Sequence, residues 1–184
     1  MKHKRLLALL LSAVLALGVL AGCSSTDEKG GLRSFSAATL DGGAFSQADI
    51  QEKDLTVINF WGTFCSPCIG EMPYLAAFAK ALPANVRLIT VCVDADGNTE
   101  AAKELLQAAG YEGITLVSGD GDLAALVSDI QAVPTTIFVD KKGALVGDVI
   151  EGAGYKDQEA FFSVFLTSVN KALKASGKAE ISLA

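Results

Sequence analysis

Two cysteines stand two residues apart in Cys65-Ser66-Pro67-Cys68, a spacing that can do redox chemistry. The motif lies between an apolar run, Leu55 to Trp61, and a segment with helical periodicity, Ile69 to Leu82. A CxxC at a strand-to-helix junction puts both sulfurs within the first helical turn, where they can close a small ring without unfolding anything. The first sulfur also meets the unpaired N–H groups and the positive end of the helix dipole. Both favour thiolate over thiol, and the thiolate is the nucleophile. Cys65 is therefore the expected nucleophile, with a thiol pKa drawn from about 8.5 toward roughly 3.5–7.5. Cys68 is expected one turn in and less exposed, placed to attack the mixed disulfide that Cys65 forms. A static disulfide that only pins the helix competes with this reading. It would add little, because so short a ring removes little chain entropy.

The first residues read as an export signal. Lys2, Lys4 and Arg5 form a positive head, Leu6 to Leu20 is almost wholly apolar, and Leu20-Ala21-Gly22-Cys23 ends the run with small residues and a cysteine. That is the layout of a secretory signal peptide, and the run is shorter than the ~20 residues that cross a bilayer comfortably. The LAGC segment resembles the lipobox of bacterial lipoproteins. That resemblance implies that Cys23 is lipidated and opens the mature chain, and several acyl chains would anchor it stably. A plain secreted protein, cut after a small residue, is the alternative. The expected organisation is a signal peptide over 1–22, a lipid-anchored flexible tether over 23–34 and one domain over 35–184.

Removing residues 1–22 leaves 162 of the 184 residues, enough for one domain with a core of its own. The leader holds three of the 15 basic residues and none of the 21 acidic ones, which leaves the remainder at −9. This argues against nucleic acid and against electrostatic binding to anionic lipid. The one histidine, His3, lies in the leader. The mature chain thus lacks the imidazole that Cys–His or Ser–His–Asp catalysis and most zinc or copper sites require. No metal and no cofactor is expected, and a monomer suffices.

The elements that position the cysteines follow from periodicity. Ser24 to Ser34 is polar with no apolar period and reads as a tether. Asp41-Gly42-Gly43 reads as a hairpin turn, followed by a short helical turn over Gln47 to Ile50. Leu55 to Trp61 and Arg87 to Asp94 are β-branched, apolar and short, as buried strands are. Cys65 to Leu82 is helical, with Pro73 expected to kink it. Thr99 to Ala109 is a helix ended by Gly110. Thr115 to Val117 is a short strand, and Asp122 to Ile130 a helix with Asp122 as its N-cap. Thr135 to Asp140 and Ala144 to Ile150 read as strands joined by Lys141-Lys142-Gly143. Lys156 to Ser176 is an amphipathic helix with its apolar stripe through Phe161, Phe165, Val169 and Leu173. The sum is an α/β fold, a central mixed β-sheet with helices on both faces.

WGTFCSPCIGEMP resembles the active-site segment of the thioredoxin superfamily, and most of all its TlpA/ResA-like branch of exported, membrane-tethered thioredoxins. Trp61, Cys65, Cys68, Glu71 and Pro73 match that branch position by position. Val133-Pro134-Thr135-Thr136 resembles its second hallmark, a cis-proline loop that faces the disulfide. The resemblance covers nearly the whole mature chain and implies a thioredoxin-like fold. It also implies that Val133, Pro134 and Thr135 meet a bound cysteine-containing segment, with main-chain bonds giving affinity. Trp61 and Phe64 flank the motif as candidate substrate-facing aromatics, in competition with simple packing.

Glu71 follows Cys68 by three residues and so shares its helix face. Thioredoxins usually carry a buried acid on the strand before the motif, whereas this chain has Asn59 there, which cannot titrate. The resemblance implies that Glu71 takes over proton management for Cys68. Spacing alone leaves an ordinary exposed glutamate equally open. Cys92, mid-strand, reads as a small buried hydrophobe. Asp94, Asp96 and Asn98 have the spacing of a calcium loop without its later glycine and glutamate, and read as a turn and a helix cap.

The expected function is an extracytoplasmic thiol–disulfide oxidoreductase, anchored to a bacterial membrane. It is expected to reduce disulfides in exported partner proteins, because no histidine stands between the cysteines to favour an oxidant. The resemblance implies a membrane thiol carrier of the CcdA type as electron donor. A thiol peroxidase and a Cu(I)-binding thioredoxin-like chaperone are the rival readings, and a lipoprotein with an inert disulfide is a third. Cys65 and Cys92 lack the proline–threonine frame of a peroxidatic cysteine. The two-residue spacing and missing histidine count against the chaperone, although two thiolates can hold Cu(I).

Overall fold

Strands and helices alternate along this chain because apolar residues recur at period two in some stretches and near 3.6 in others. The structure, a computed structural model, describes residues 30–184. In chain order it runs β1 (Ser36–Thr39), β2 (Ala44–Ser46), α1 (Gln47–Ile50), β3 (Leu55–Trp61), α2 (Ser66–Ala81), β4 (Val86–Cys92) and α3 (Thr99–Ala108). There follow β5 (Thr115–Gly119), α4 (Gly121–Asp129), β6 (Thr135–Asp140), β7 (Ile150–Glu151) and α5 (Gln158–Ala175). The seven strands form one mixed sheet in the order β2-β1-β5-β4-β3-β6-β7. The central strand β3 lies parallel to β4 and antiparallel to β6. No helix among the described residues is long and apolar enough to cross a membrane.

The central strand is buried along its whole length, and its side chains part by alternation. Leu55, Val57 and Trp61 join the core that includes residues of α2, α3 and α5. Ile58 and Phe60 join the other core, with Ile50 of α1 and Leu123 of α4. Helices therefore cover both faces, as expected. On the first side the rings of Phe78 and of Phe161, Phe162 and Phe165 meet edge-on at 5.3–6.3 Å between centroids, locking α2 to α5. A row of polar residues crosses the sheet in register, Thr136, Asn59, Thr90 and Thr115, all buried. Asn59 Nδ2 donates to Thr136 Oγ1 at 2.9 Å, and the hydroxyls of Thr90 and Thr115 bond each other at 2.7 Å. The row is thus satisfied internally, as buried polar groups must be.

Three expectations change. The packed chain begins before Phe35: Leu32 is wholly buried and donates its N–H to the Gly143 carbonyl at 2.7 Å. Asp122 does not cap its helix with its side chain. Asp120 holds the N-cap position, and the Asp122 carboxylate instead accepts the N–H groups of Arg33 and Ser34, each at 2.7 Å. These bonds fasten the segment read as the end of the tether. The strand expected over Ala144 to Ile150 is reduced to one bridge, Val139 to Leu145, and the two-residue β7. Gly147 turns the chain there at φ +73°, a conformation strands do not use. Pro73 lies inside α2, where the sequence placed it. The signal peptide, Cys23 and His3 lie outside the described residues.

Leu32→Ala tests the earlier boundary. The buried position predicts a loss of about 2–5 kcal/mol, read as a lowered urea midpoint, whereas a free tether would leave the midpoint unmoved.

Candidate active site

Cys65 occupies the N-cap of α2 in extended backbone, with Pro67 in the first turn, where its missing N–H leaves no bond unmade. Its sulfur accepts the Cys68 N–H at 3.2 Å. The two cysteines are joined by a disulfide with Cα atoms 5.3 Å apart. Cys65 is 6% exposed and Cys68 1%, so the first sulfur is the more accessible. Reduction of this pair would leave the Cys65 sulfur facing the helix start, where backbone donors stabilise a thiolate.

The Val133–Pro134 peptide is cis and stands at the start of β6. The Val133 carbonyl oxygen lies 3.5 Å from the Cys65 sulfur. Between them opens a groove of about 490 Å³, walled by Phe64, Pro67, Val93, Val127, Ile130 and Val133. Phe64 is 69% exposed on its rim. The groove is mostly apolar, with Ser66 and Gln131 adding polar groups to its walls, as a docking cleft for an extended segment would have.

On the other side of Pro67 lies a smaller recess of about 250 Å³, with Glu71 in its wall. Glu71 is 6% exposed, and its Oε2 has no hydrogen-bond partner among the described residues. Burial pushes its acid up to about 7. The ordinary surface glutamate is therefore not what the fold builds. Asn59 sits in the dry sheet, engaged with Thr136.

The loop before Cys65 is braced from the end of β4. The Asp94 carboxylate accepts the Thr63 N–H at 2.8 Å and the Thr63 hydroxyl on its second oxygen. These bonds hold Asp94 below the usual carboxylate range against the opposing effect of its partial burial. Cys92 donates its S–H to Asp94 at 3.4 Å. Burial, then the Asp94 carboxylate, push the Cys92 thiol up to about 12, which leaves it protonated and inert. Asn98 holds the N-cap position of α3 without a side-chain cap bond, and its Nδ2 donates to the Asp94 carbonyl.

The fold thus brings Cys65, Cys68, Glu71, Val133 and Pro134 to one edge of the sheet, with Phe64 beside them. It separates two others from any partner. Trp61, a candidate for substrate in competition with packing, is wholly buried in the core, because helices cover both faces of β3. Thr135 is also buried, and its hydroxyl donates to the Ala132 carbonyl at 2.8 Å, bracing the proline loop instead. Sequence reading missed the groove walls Val127 and Ile130, the Asp94–Thr63 brace, and Tyr155 in the recess. Only Asp94 left a signal, an acid closing a buried strand.

Fold and site together define a thioredoxin-like thiol–disulfide oxidoreductase. The model of the Redoxin family matches residues 28–160, and the chain belongs to that family, within the thioredoxin superfamily. It is 29% identical over 168 residues to the thiol-disulfide oxidoreductase ResA of Bacillus cereus, covering 86% of this chain and 94% of that protein. It is 26% identical over 149 residues to sporulation thiol-disulfide oxidoreductase A of Bacillus subtilis, covering 79% and 88%. Among solved structures, MTB DsbF superimposes with a TM-score of 0.57 at 28% identity, over 72% of this chain and 92% of that one.

Glu71 links the site to stability. An acid with a raised pKa in the fold favours folding while it is protonated, so its contribution is full below about 4.5 and is lost as pH rises through about 7. Urea titrations of the oxidised protein at pH 4.5 and pH 8 check this. Relative to Glu71→Gln, the wild type is expected to lose about 2 kcal/mol across that window, less than the full shift would give because the recess admits solvent.

Proposed function

We propose that this protein reduces disulfides in exported partner proteins from the outer face of a bacterial membrane, tethered through lipid on Cys23. The observation that supports it best is a CxxC disulfide at a helix start with a cis-proline carbonyl 3.5 Å from the Cys65 sulfur. The reaction starts from the reduced pair. The Cys65 thiolate attacks one sulfur of the partner disulfide, and the other partner sulfur leaves as a thiolate that takes a proton from water. A mixed disulfide now joins Cys65 to the partner. Glu71, as carboxylate, takes the Cys68 proton. The Cys68 thiolate attacks the Cys65 sulfur, closes the internal disulfide and releases the second partner thiol. The partner gains two electrons and two protons, and this chain loses them. A membrane thiol carrier of the CcdA type returns the electrons.

Within this scheme the apolar groove receives the segment that flanks the partner cysteine, with Phe64 against it and the Val133 backbone pairing along it. A buried acid whose pKa lies near neutrality is suited to take up the Cys68 proton during the exchange and to give it up before the next. The leader and the Cys23 motif support the membrane setting. The negative charge of the mature chain fits a lipid tether better than electrostatic adsorption.

Cysteine variants test the scheme. Cys65→Ala is expected to abolish reduction of insulin disulfides by the pure protein. Cys68→Ser should hold Cys65 on its partner as a mixed disulfide, recovered from whole cells and named by mass spectrometry. Wild-type insulin reduction by Cys65→Ala would remove the proposal. Failure of [2-3H]palmitate to label the full chain, with loss of the protein from the membrane fraction, would remove the anchor alone.

A further inference from the structure

The recess beside Glu71 has one wall the reaction scheme does not use. Tyr155 stands in the loop before α5, and its ring lines the recess together with Pro67, Gly70, Tyr74, Ala153 and Gly154. The ring is held edge-on against Phe161 at 4.9 Å and against Phe165 at 6.1 Å between centroids. It is thus anchored in the aromatic core at the foot of α5, whereas Gly70 and Gly154 add no bulk to the rim. Gly154 holds φ at +115°, which favours glycine and keeps that rim bare. The Glu71 Oε2 is buried here without a partner.

We propose that Tyr155 is a positioning residue whose ring closes the recess over Glu71, keeping the carboxyl dry while leaving a narrow path for its proton to water. The inference rests on the reading of Glu71 as the acceptor of the Cys68 proton. Each turnover delivers one proton to Glu71, and the same proton must leave to solvent before the next. A carboxyl sealed in the core could not discharge it, and one open to bulk water would not hold it near neutral pH. The titratable groups that face Glu71 are Tyr74 on its own helix, Tyr155, and the Cys68 sulfur one turn earlier. Asn59, on the face of β3 that α2 covers, does not titrate, and no basic side chain lines the recess. Burial, then the Glu71 charge, push the Tyr155 hydroxyl up, so it stays protonated and carries no charge of its own.

The test is the titration of the Glu71 carboxyl by carbon-13 NMR in the oxidised mature chain, with Glu71→Gln assigning the signal. Tyr155→Ala should lower the midpoint by about one pH unit or more, because water then reaches the carboxyl. Tyr155→Phe keeps the ring and should leave the midpoint within about 0.3 units. An unmoved midpoint in Tyr155→Ala overturns the proposal, and so does an equal drop in Tyr155→Phe, which would assign the effect to the hydroxyl. Should Tyr155→Ala not fold, Ala153→Phe narrows the recess from the exposed rim. A raised midpoint there supports the proposal and an unchanged or lowered one overturns it. The pH profile of insulin reduction separates the two readings. If the midpoint falls in Tyr155→Ala and the profile does not follow, the wall stands and the proton role of Glu71 fails.

Discussion

The structure depends on where one strand stops. The central strand β3 is pinned in register by β4 on one side and β6 on the other, so its last residue, Trp61, is fixed in space. The turn after it has only Gly62 to Phe64 in which to reach the helix cap. Cys65 closes that turn with its own N–H on the Gly62 carbonyl at 3.0 Å and its sulfur on the Cys68 N–H. Strand direction supplies the rest. Because β4 runs parallel to β3, its end brings Asp94 to the same edge, where it grips Thr63. Because β6 runs antiparallel, its beginning comes to that edge too, and the Val133–Pro134 peptide arrives beside a sulfur 68 residues earlier in the chain. In open α/β sheets ligands bind beyond the carboxyl ends of the parallel strands. Here the reversed strand delivers its amino end to the same place.

The two sides of the disulfide are unlike. Pro67 stands between them and lines both cavities. On the Cys65 side the walls are mostly apolar and open, which suits docking of a chain whose affinity comes from backbone pairing and whose selectivity comes from side-chain fit. On the Cys68 side the walls are aromatic and small, and Oε2 of the one carboxyl has no hydrogen-bond partner among the described residues. Exchange of two sulfurs needs this asymmetry, since one must be reached by a large partner and the other only by a proton. The helix start imposes it, because Cys68 lies one turn deeper than Cys65 on a helix packed against the sheet.

Much of this was legible in the sequence, and the exceptions have physical causes. Strands β3, β4 and β6 could be read because each is β-branched, apolar and bounded by turn residues. The cysteine pair could be placed because its spacing is local, and Glu71 and Pro134 because the segments around them resemble those of a known family. Trp61 stays open between substrate and packing in the sequence because its position beside the motif suggests exposure, whereas helices on both faces of the sheet bury every residue of β3. The end of the tether was misjudged because Arg33 and Ser34 look like linker. What orders them is the carboxylate of Asp122, nearly ninety residues later, which no local pattern reveals. The strand over Ala144 to Ile150 failed for the opposite reason. Its apolar residues match a strand, but Gly147 takes a backbone conformation that only the fold can disclose. Tyr155 was invisible, since a tyrosine after a glycine-rich break has no period to belong to.

The absence of an acid at Asn59 fits the role proposed for Glu71. A carboxyl at that position would sit within the polar row of the sheet, against the Thr136 hydroxyl and far from a solvent-filled opening. Asparagine serves the row better, because its amide donates to Thr136 and remains neutral at every pH. On the proposed reading of Glu71, the proton chemistry is housed elsewhere, at a site near Cys68 that is dry enough to raise a carboxyl pKa and open enough to release its proton. The face of α2 one turn beyond Cys68 meets both conditions, since it looks toward the sheet at Cys68 and toward a small recess at Glu71. Moving the acid from strand to helix therefore separates two tasks that a buried strand acid would have to combine. The sheet keeps a fixed hydrogen-bond pattern, and the helix carries the group whose charge must change.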